Sequence, residues 1–252
     1  MNKYVEYSSK AILFLSTAFF FSFSGCNDTG EDPEPEVREP ITVVFNQFYN
    51  STPLVYNDTY KSVQGNDLWV TKNHYYVSNV IAVRSDGSKQ LIKDIAIIKH
   101  GTDISQMSVE GTVPKGDYTS VQFDLGVRED LNLMDPATYD ITHPLSVTNN
   151  MYWTWSTQYI FSKLEGWEVS GTDTVSFVIH TGTQDLYRPG ITVDRNFSVS
   201  TGGTEVDVNM DIYSILQTDA YTFDLIADGQ SHTVDNIPLV VNYMDNFTTA
   251  FF

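Results

Sequence analysis

From Ile41 onward the chain repeats one pattern: short runs in which Val, Ile, Tyr, Thr and Phe alternate with polar residues, each run closed by turn formers. The alternation predicts strands at 41–48, 68–84, 91–99, 118–127, 174–180, 190–199, 205–212 and 221–227. Asp86 with Gly87, Lys115 to Asp117, Gly171 to Asp173, Gly202 with Gly203 and Asp228 with Gly229 punctuate them. In the segment 126–166, Met151, Trp153, Trp155, Tyr159 and Phe161 fall on odd-numbered positions, which an extended chain places on one face of a strand. No long segment holds a helical period, and 213–217 suits a single helical turn. The expectation is an all-β fold, an antiparallel β-sandwich of Greek-key or immunoglobulin-like type. The absence of a fixed-period repeat argues against a propeller or solenoid.

Composition changes this picture little and charge narrows it. Of 252 residues, 41% are apolar, ample for one large all-β core. Asp plus Glu number 32 against 14 Lys plus Arg, and a net charge of −18 repels phosphate backbones, so no nucleic-acid partner is expected.

The first residues address the chain. Lys3 and Lys10 precede an apolar run at 11–23, too short to span a bilayer with confidence, and Ser24 and Gly25 follow, so residues 1–25 read as a signal peptide. Phe23, Ser24, Gly25 and Cys26 together resemble the lipobox of bacterial lipoproteins, with Phe23 where Leu is usual. Cys26 is the one cysteine, so it has no partner for an internal disulfide, and lipidation accounts for both its position and its solitude. Residues 26–40, rich in Pro and acid, read as a tether, and 41–252 as a single domain. The expected location is the outer membrane, held by the lipid and facing the periplasm or the cell surface.

Catalytic signatures are missing. The chain has no G-x-S-x-G, no phosphate-cradling glycine loop, no H-E-x-x-H and no C-x-x-C. Asp207, Asn209 and Asp211 mimic the start of an EF-hand loop, but Ile212 and Thr218 occupy its Gly and Glu positions. Asp124, Glu129, Asp130 and Asp135 show no spacing that assigns acid and base roles, so the chain is not expected to be an enzyme. Five histidines remain, at 74, 100, 143, 180 and 232, and no two have the spacing of a local chelate.

The order of several motifs resembles a known family. HYYVSNV (74–80), VPKGDYTSVQFDLGV (113–127), Leu131 with Asn132, Pro144 with Leu145, MYWTWSTQYIFSKLEG (151–166) and FVIHTG (177–182) are similar to the MbnP-like family, the methanobactin-associated copper-binding proteins. The resemblance runs from Ile41 to the C-terminus. It implies a periplasmic or surface β-sandwich that binds copper through histidines. It also implies a tryptophan oxidised to kynurenine by a diheme partner related to cytochrome c peroxidases, with an outer-membrane transporter as a second partner. Carried over residue by residue, His180 matches the H-x-G histidine. Trp153 and Trp155 match the motif tryptophans, either being the candidate for oxidation. Leu133 stands where the family reads L-N-H, which removes one expected ligand. His143 in the same loop region is the candidate substitute, and His74 and His232 are reserves. Two other readings stand beside this one: a non-metal protein- or glycan-binding module, favoured by exposed tryptophan rings, and a surface hydrolase.

Overall fold

The computed structural model describes residues 36–101, 106–153 and 158–252. In chain order the strands are β1 (Arg38–Tyr49), β2 (Thr52–Pro53), β3 (Tyr60–Lys61), β4 (Asp67–Val83), β5 (Lys89–Lys99), β6 (Ser108–Pro114) and β7 (Gly116–Leu125). A short helix α1 (Glu129–Asn132) leads into a loop, then β8 (Tyr152–Trp153), β9 (Gln158–Ser170), β10 (Asp173–Gly182), β11 (Arg188–Val199) and β12 (Thr204–Asp211). Helices α2 (Ile212–Leu216) and α3 (Leu225–Asp228), strand β13 (Gln230–His232) and helix α4 (Ile237–Thr248) complete the described elements.

The strands form two sheets. In the smaller, β1 lies between β12 and β6, with β2 folded back onto its end. The larger runs β11-β7-β4-β9-β10-β13, with β3 and β5 also on β4 and β8 on β9. Antiparallel pairing predominates in this all-β sandwich, and two parallel pairings, β1 with β12 and β10 with β13, make both sheets mixed. Strand β4 is long enough to serve four neighbours, β3, β5, β7 and β9. Its first half pairs with β9 and its second with β7, and bulges between Val70 and Lys72 and between Ser78 and Ile81 turn it from one to the other.

Alternation along β9 shows how the large sheet is sided. Leu164, Gly166 and Glu168 are buried on the inner face, while Lys163, Glu165 and Trp167 look outward. Helix α4 fills the interior against that inner face. The Tyr243 hydroxyl meets Ser162 Oγ at 3.1 Å, Phe247 packs edge-on to Tyr75 at 5.2 Å, and Thr181 Oγ1 donates to Met244 Sδ at 3.3 Å. Each such fully buried aromatic contributes roughly 1.5–3 kcal/mol through its burial. Gly166 is hemmed in by the strands on either side of β9, since an added Cβ would lie 2.3 Å from both Phe177 Cζ on β10 and Trp69 O on β4.

Three expectations need correction. The aromatic stripe does not lie on one strand: Tyr152 pairs with Tyr159 and Trp153 with Gln158, so the chain reverses on itself between β8 and β9. Met151, Tyr159 and Phe161 are core residues all the same. The run 221–227 is not a strand; Thr222 makes an isolated bridge to Gln217, and Asp224 caps α3 by accepting from Ile226 N and Ala227 N. Helix α4 overturns the expectation that no long segment holds a helical period. Leu239, Val240, Tyr243, Met244 and Phe247 recur at helical spacing behind an Asn236 cap with Pro238 in the first turn. The short helix expected at 213–217 is α2. Residues 1–35, including the signal peptide and Cys26, lie outside the described residues.

Candidate metal centre

The excursion between β7 and β9 is built by the very residues that carry the sequence motifs. Gly126, at φ +106°, starts it where an added Cβ would come within 2.7 Å of the Phe161 ring. Its carbonyl accepts from Ser78 Oγ at 2.7 Å. Buried Asn132 accepts from Tyr159 N at 3.1 Å through Oδ1, the Tyr159 hydroxyl donates to Leu145 O at 2.9 Å, and the Tyr76 hydroxyl to Pro144 O at 2.9 Å. Leu-Asn, Pro-Leu and the motif tyrosine are thus one scaffold. His143 belongs to it: Nδ1 accepts from Leu145 N at 3.1 Å, and the ring stacks on Tyr139 with centroids 4.1 Å apart. Leu133 is exposed.

The chemistry lies on the outer face of the large sheet, where register aligns five side chains across five strands. Lys99 of β5 pairs with His74 of β4, His74 with Lys163 of β9, Lys163 with His180 of β10, and His180 with His232 of β13. Adjacent strands are about 4.8 Å apart, so His180 and His232 are direct neighbours while Lys163 keeps His74 a full strand away. The His180 and His232 rings stand edge to face, centroids 5.3 Å apart. Trp153 lies over both, at 5.8 Å from His180 and 6.1 Å from His232. Trp153 is partly buried and packs against the core. Trp155 lies outside the described residues.

Electrostatics distinguish His180 from the other histidines. It is 8% exposed, and its Nε2 is 2.8 Å from Glu165 Oε1, whose other oxygen takes Lys72 Nζ at 2.7 Å. The His180 hydrogen bond, against the desolvation of burial and with help from Lys72, holds the Glu165 carboxyl down at about 2. Burial, with Lys163 and His232 alongside, outweighs Glu165 and keeps the His180 imidazole below its ordinary value, so the ring is neutral at pH 7. A neutral ring that gives its proton to a carboxylate leaves a bare lone pair on the other nitrogen, and His180 Nδ1 is buried with no hydrogen-bond partner. That orphaned atom suits a cation. His232 holds Asp235 Oδ2 at 3.5 Å from its Nδ1, and its backbone N–H donates to Asp235 Oδ1 at 2.7 Å. Burial and three flanking lysines push His74 down to about 4.

Of the histidines considered from sequence, the structure therefore brings together His180 and His232, and it leaves His74 and His143 apart from them. Glu165, Lys72 and Lys163 carried no local signal; only the strand register identifies them. Among the described residues no three of His, Cys, Asp and Glu converge as a ready ligand set, so the donors that fit a metal are the two imidazoles of His180 and His232, with the Trp153 indole beside them as cover and not as a ligand. Among them too, no helix is long and apolar enough to cross a membrane.

A family model described as MbnP matches residues 38–235. A solved structure, MbnP from Methylosinus trichosporium, aligns at a TM-score of 0.51 and 15% identity, covering 71% of this chain and 78% of that one. No curated protein matches.

Proposed function

The chain belongs to the MbnP family, matched over residues 38–235, and on that premise we propose that it is a copper-binding lipoprotein whose metal is held by His180 and His232 beneath Trp153. The observation that carries this reading is the buried, unpartnered Nδ1 of His180, next to a second imidazole and under an aromatic roof. Imidazole is a borderline donor that suits copper, and a paucity of carboxylate ligands disfavours the hard cations that need oxygen. Copper would here be cargo or a resident ion; the chain itself supplies binding and shelter, with no catalysis of its own. Trp153 is the residue we assign for oxidation to kynurenine by a diheme partner enzyme, since its ring covers both histidines. Lipidation of Cys26 would tether the domain to the outer membrane, facing the periplasm or the cell surface, where an outer-membrane transporter is the second partner the family suggests.

The test is metal analysis and intact mass on protein purified from its native host. The expected outcome is stoichiometric copper, lost from both His180→Ala and His232→Ala, together with a mass change in the peptide that contains Trp153. Copper retained by both variants, or none bound by the natural protein after loading, would overturn the assignment.

A further inference from the structure

His180 can act as a ligand through either ring nitrogen, and the choice is made by what holds the other one. Its Nε2 lies 2.8 Å from Glu165 Oε1, while Nδ1 has no partner. Glu165 is itself pinned, because Oε2 receives Lys72 Nζ at 2.7 Å and the two residues sit opposite each other in the β4–β9 register. A carboxylate that already neutralises an ammonium is an acceptor on both oxygens, so the proton of the hydrogen bond belongs to the histidine. The side chains of Glu165 and Lys72 are about one-quarter and one-third exposed, so the ion pair borders the site on its solvent side without being part of the core.

We propose that Glu165, steadied by Lys72, is a positioning residue that locks His180 in the Nε2–H tautomer and so makes Nδ1 the atom that meets the metal. The inference rests on the copper reading for its consequence, but the tautomer exists without metal and can be read without it. The carboxylate orients the ring and raises the basicity of the free nitrogen; it contributes no ligand atom. Loss of such a hydrogen-bonded carboxylate costs about 10–100-fold in metal affinity elsewhere.

The experiment has two readouts on the full chain and on Glu165→Ala, Glu165→Gln and Lys72→Ala. Nitrogen-15 NMR of the histidine rings, without metal, reports the tautomer of His180, assigned by the signal missing from His180→Ala. Competition for Cu(I) against a bicinchoninate chelator reports affinity. The natural protein should show a single Nε2–H form. Glu165→Ala should mix the tautomers and weaken Cu(I) by about 10–100-fold. Glu165→Gln, whose amide oxygen still accepts the same N–H, should stay within several-fold of the natural protein, and Lys72→Ala should fall between. An unchanged tautomer in Glu165→Ala, with a native melting curve, would overturn the positioning role whatever happens to copper. A tautomer that depends on Glu165 in a protein that takes up no Cu(I) would support that role while removing the copper reading.

Discussion

The excursion at 126–151 and the outer-face row on β4, β9, β10 and β13 lie side by side and are built on opposite terms. In the excursion, nearly every conspicuous side chain is spent on a neighbour: Asn132 on Tyr159, Tyr159 on Leu145, His143 on Leu145, Tyr76 on Pro144. In the row, the decisive atom is the one left over, Nδ1 of His180. A polar group that completes a loop is satisfied, and one prepared for a ligand is held on one side and bare on the other. Spotting a histidine in a motif region is therefore weaker evidence of ligation than finding one whose second nitrogen is fixed by a carboxylate.

Three measurements would break or sharpen this contrast. The largest effect is expected from Asn132→Ala, which strips the partner from a buried Tyr159 N–H. Urea unfolding should show a loss of about 1–3 kcal/mol, with copper affinity of the folded fraction unchanged; an equal loss of copper binding would merge the two regions into one functional unit. Next comes acid sensitivity from the row. His74 titrates near 4 in the fold, mainly because of burial, against about 6.5 in an unfolded chain. Between those values the unfolded state binds the extra proton, so stability is full above about 6.5 and falls as the pH drops toward 4. Unfolding free energies at pH 7 and 5 should therefore differ by about 1 kcal/mol less in His74→Gln than in the natural protein, allowing for partial exposure. The same loss in both would mean that His74 is not the group responsible. The smallest effect is expected from His143→Ala: copper affinity within about threefold by chelator competition, because its Nδ1 already serves Leu145 N. A loss beyond tenfold would bring His143 into the site after all.

Much of the fold was legible because period-two alternation is local. The strands read at 41–48, 68–84, 91–99, 118–127, 174–180, 190–199 and 205–212 correspond to β1, β4, β5, β7, β10, β11 and β12. The errors arose where neighbours override pattern. A run such as 151–161 keeps its alternation through a reversal, since Gln158, at φ +68°, resumes the strand in the opposite direction. Strand β6 has no clear local pattern because Gly111 and Pro114 dilute a short run that is held in place by β1. The site was half legible. His180 stood out through its motif, but its neighbour His232 comes 52 positions later, on a three-residue strand that joins β10 in parallel. Glu165 and Lys72 belong together only through the shift at the β4 bulge, which sets Lys72 opposite Glu165. Alternation tells which face a side chain takes, whereas register tells whom it meets, and register is fixed by tertiary packing.

The brevity of β13 bears on how a bound ion would come and go. Three residues of pairing, Val178 with Gln230 to His180 with His232, keep the last described strand of the large sheet against β10. So short a terminal strand is the kind of element that detaches while the rest of the sheet stays closed. An ion gripped from β10 and β13 together would rivet that seam, and unzipping the seam would separate the two imidazoles and let the ion go. Loading and the closing of one sheet border would then be a single equilibrium, with backbone amide exchange at residues 230–232 slowing as the site fills.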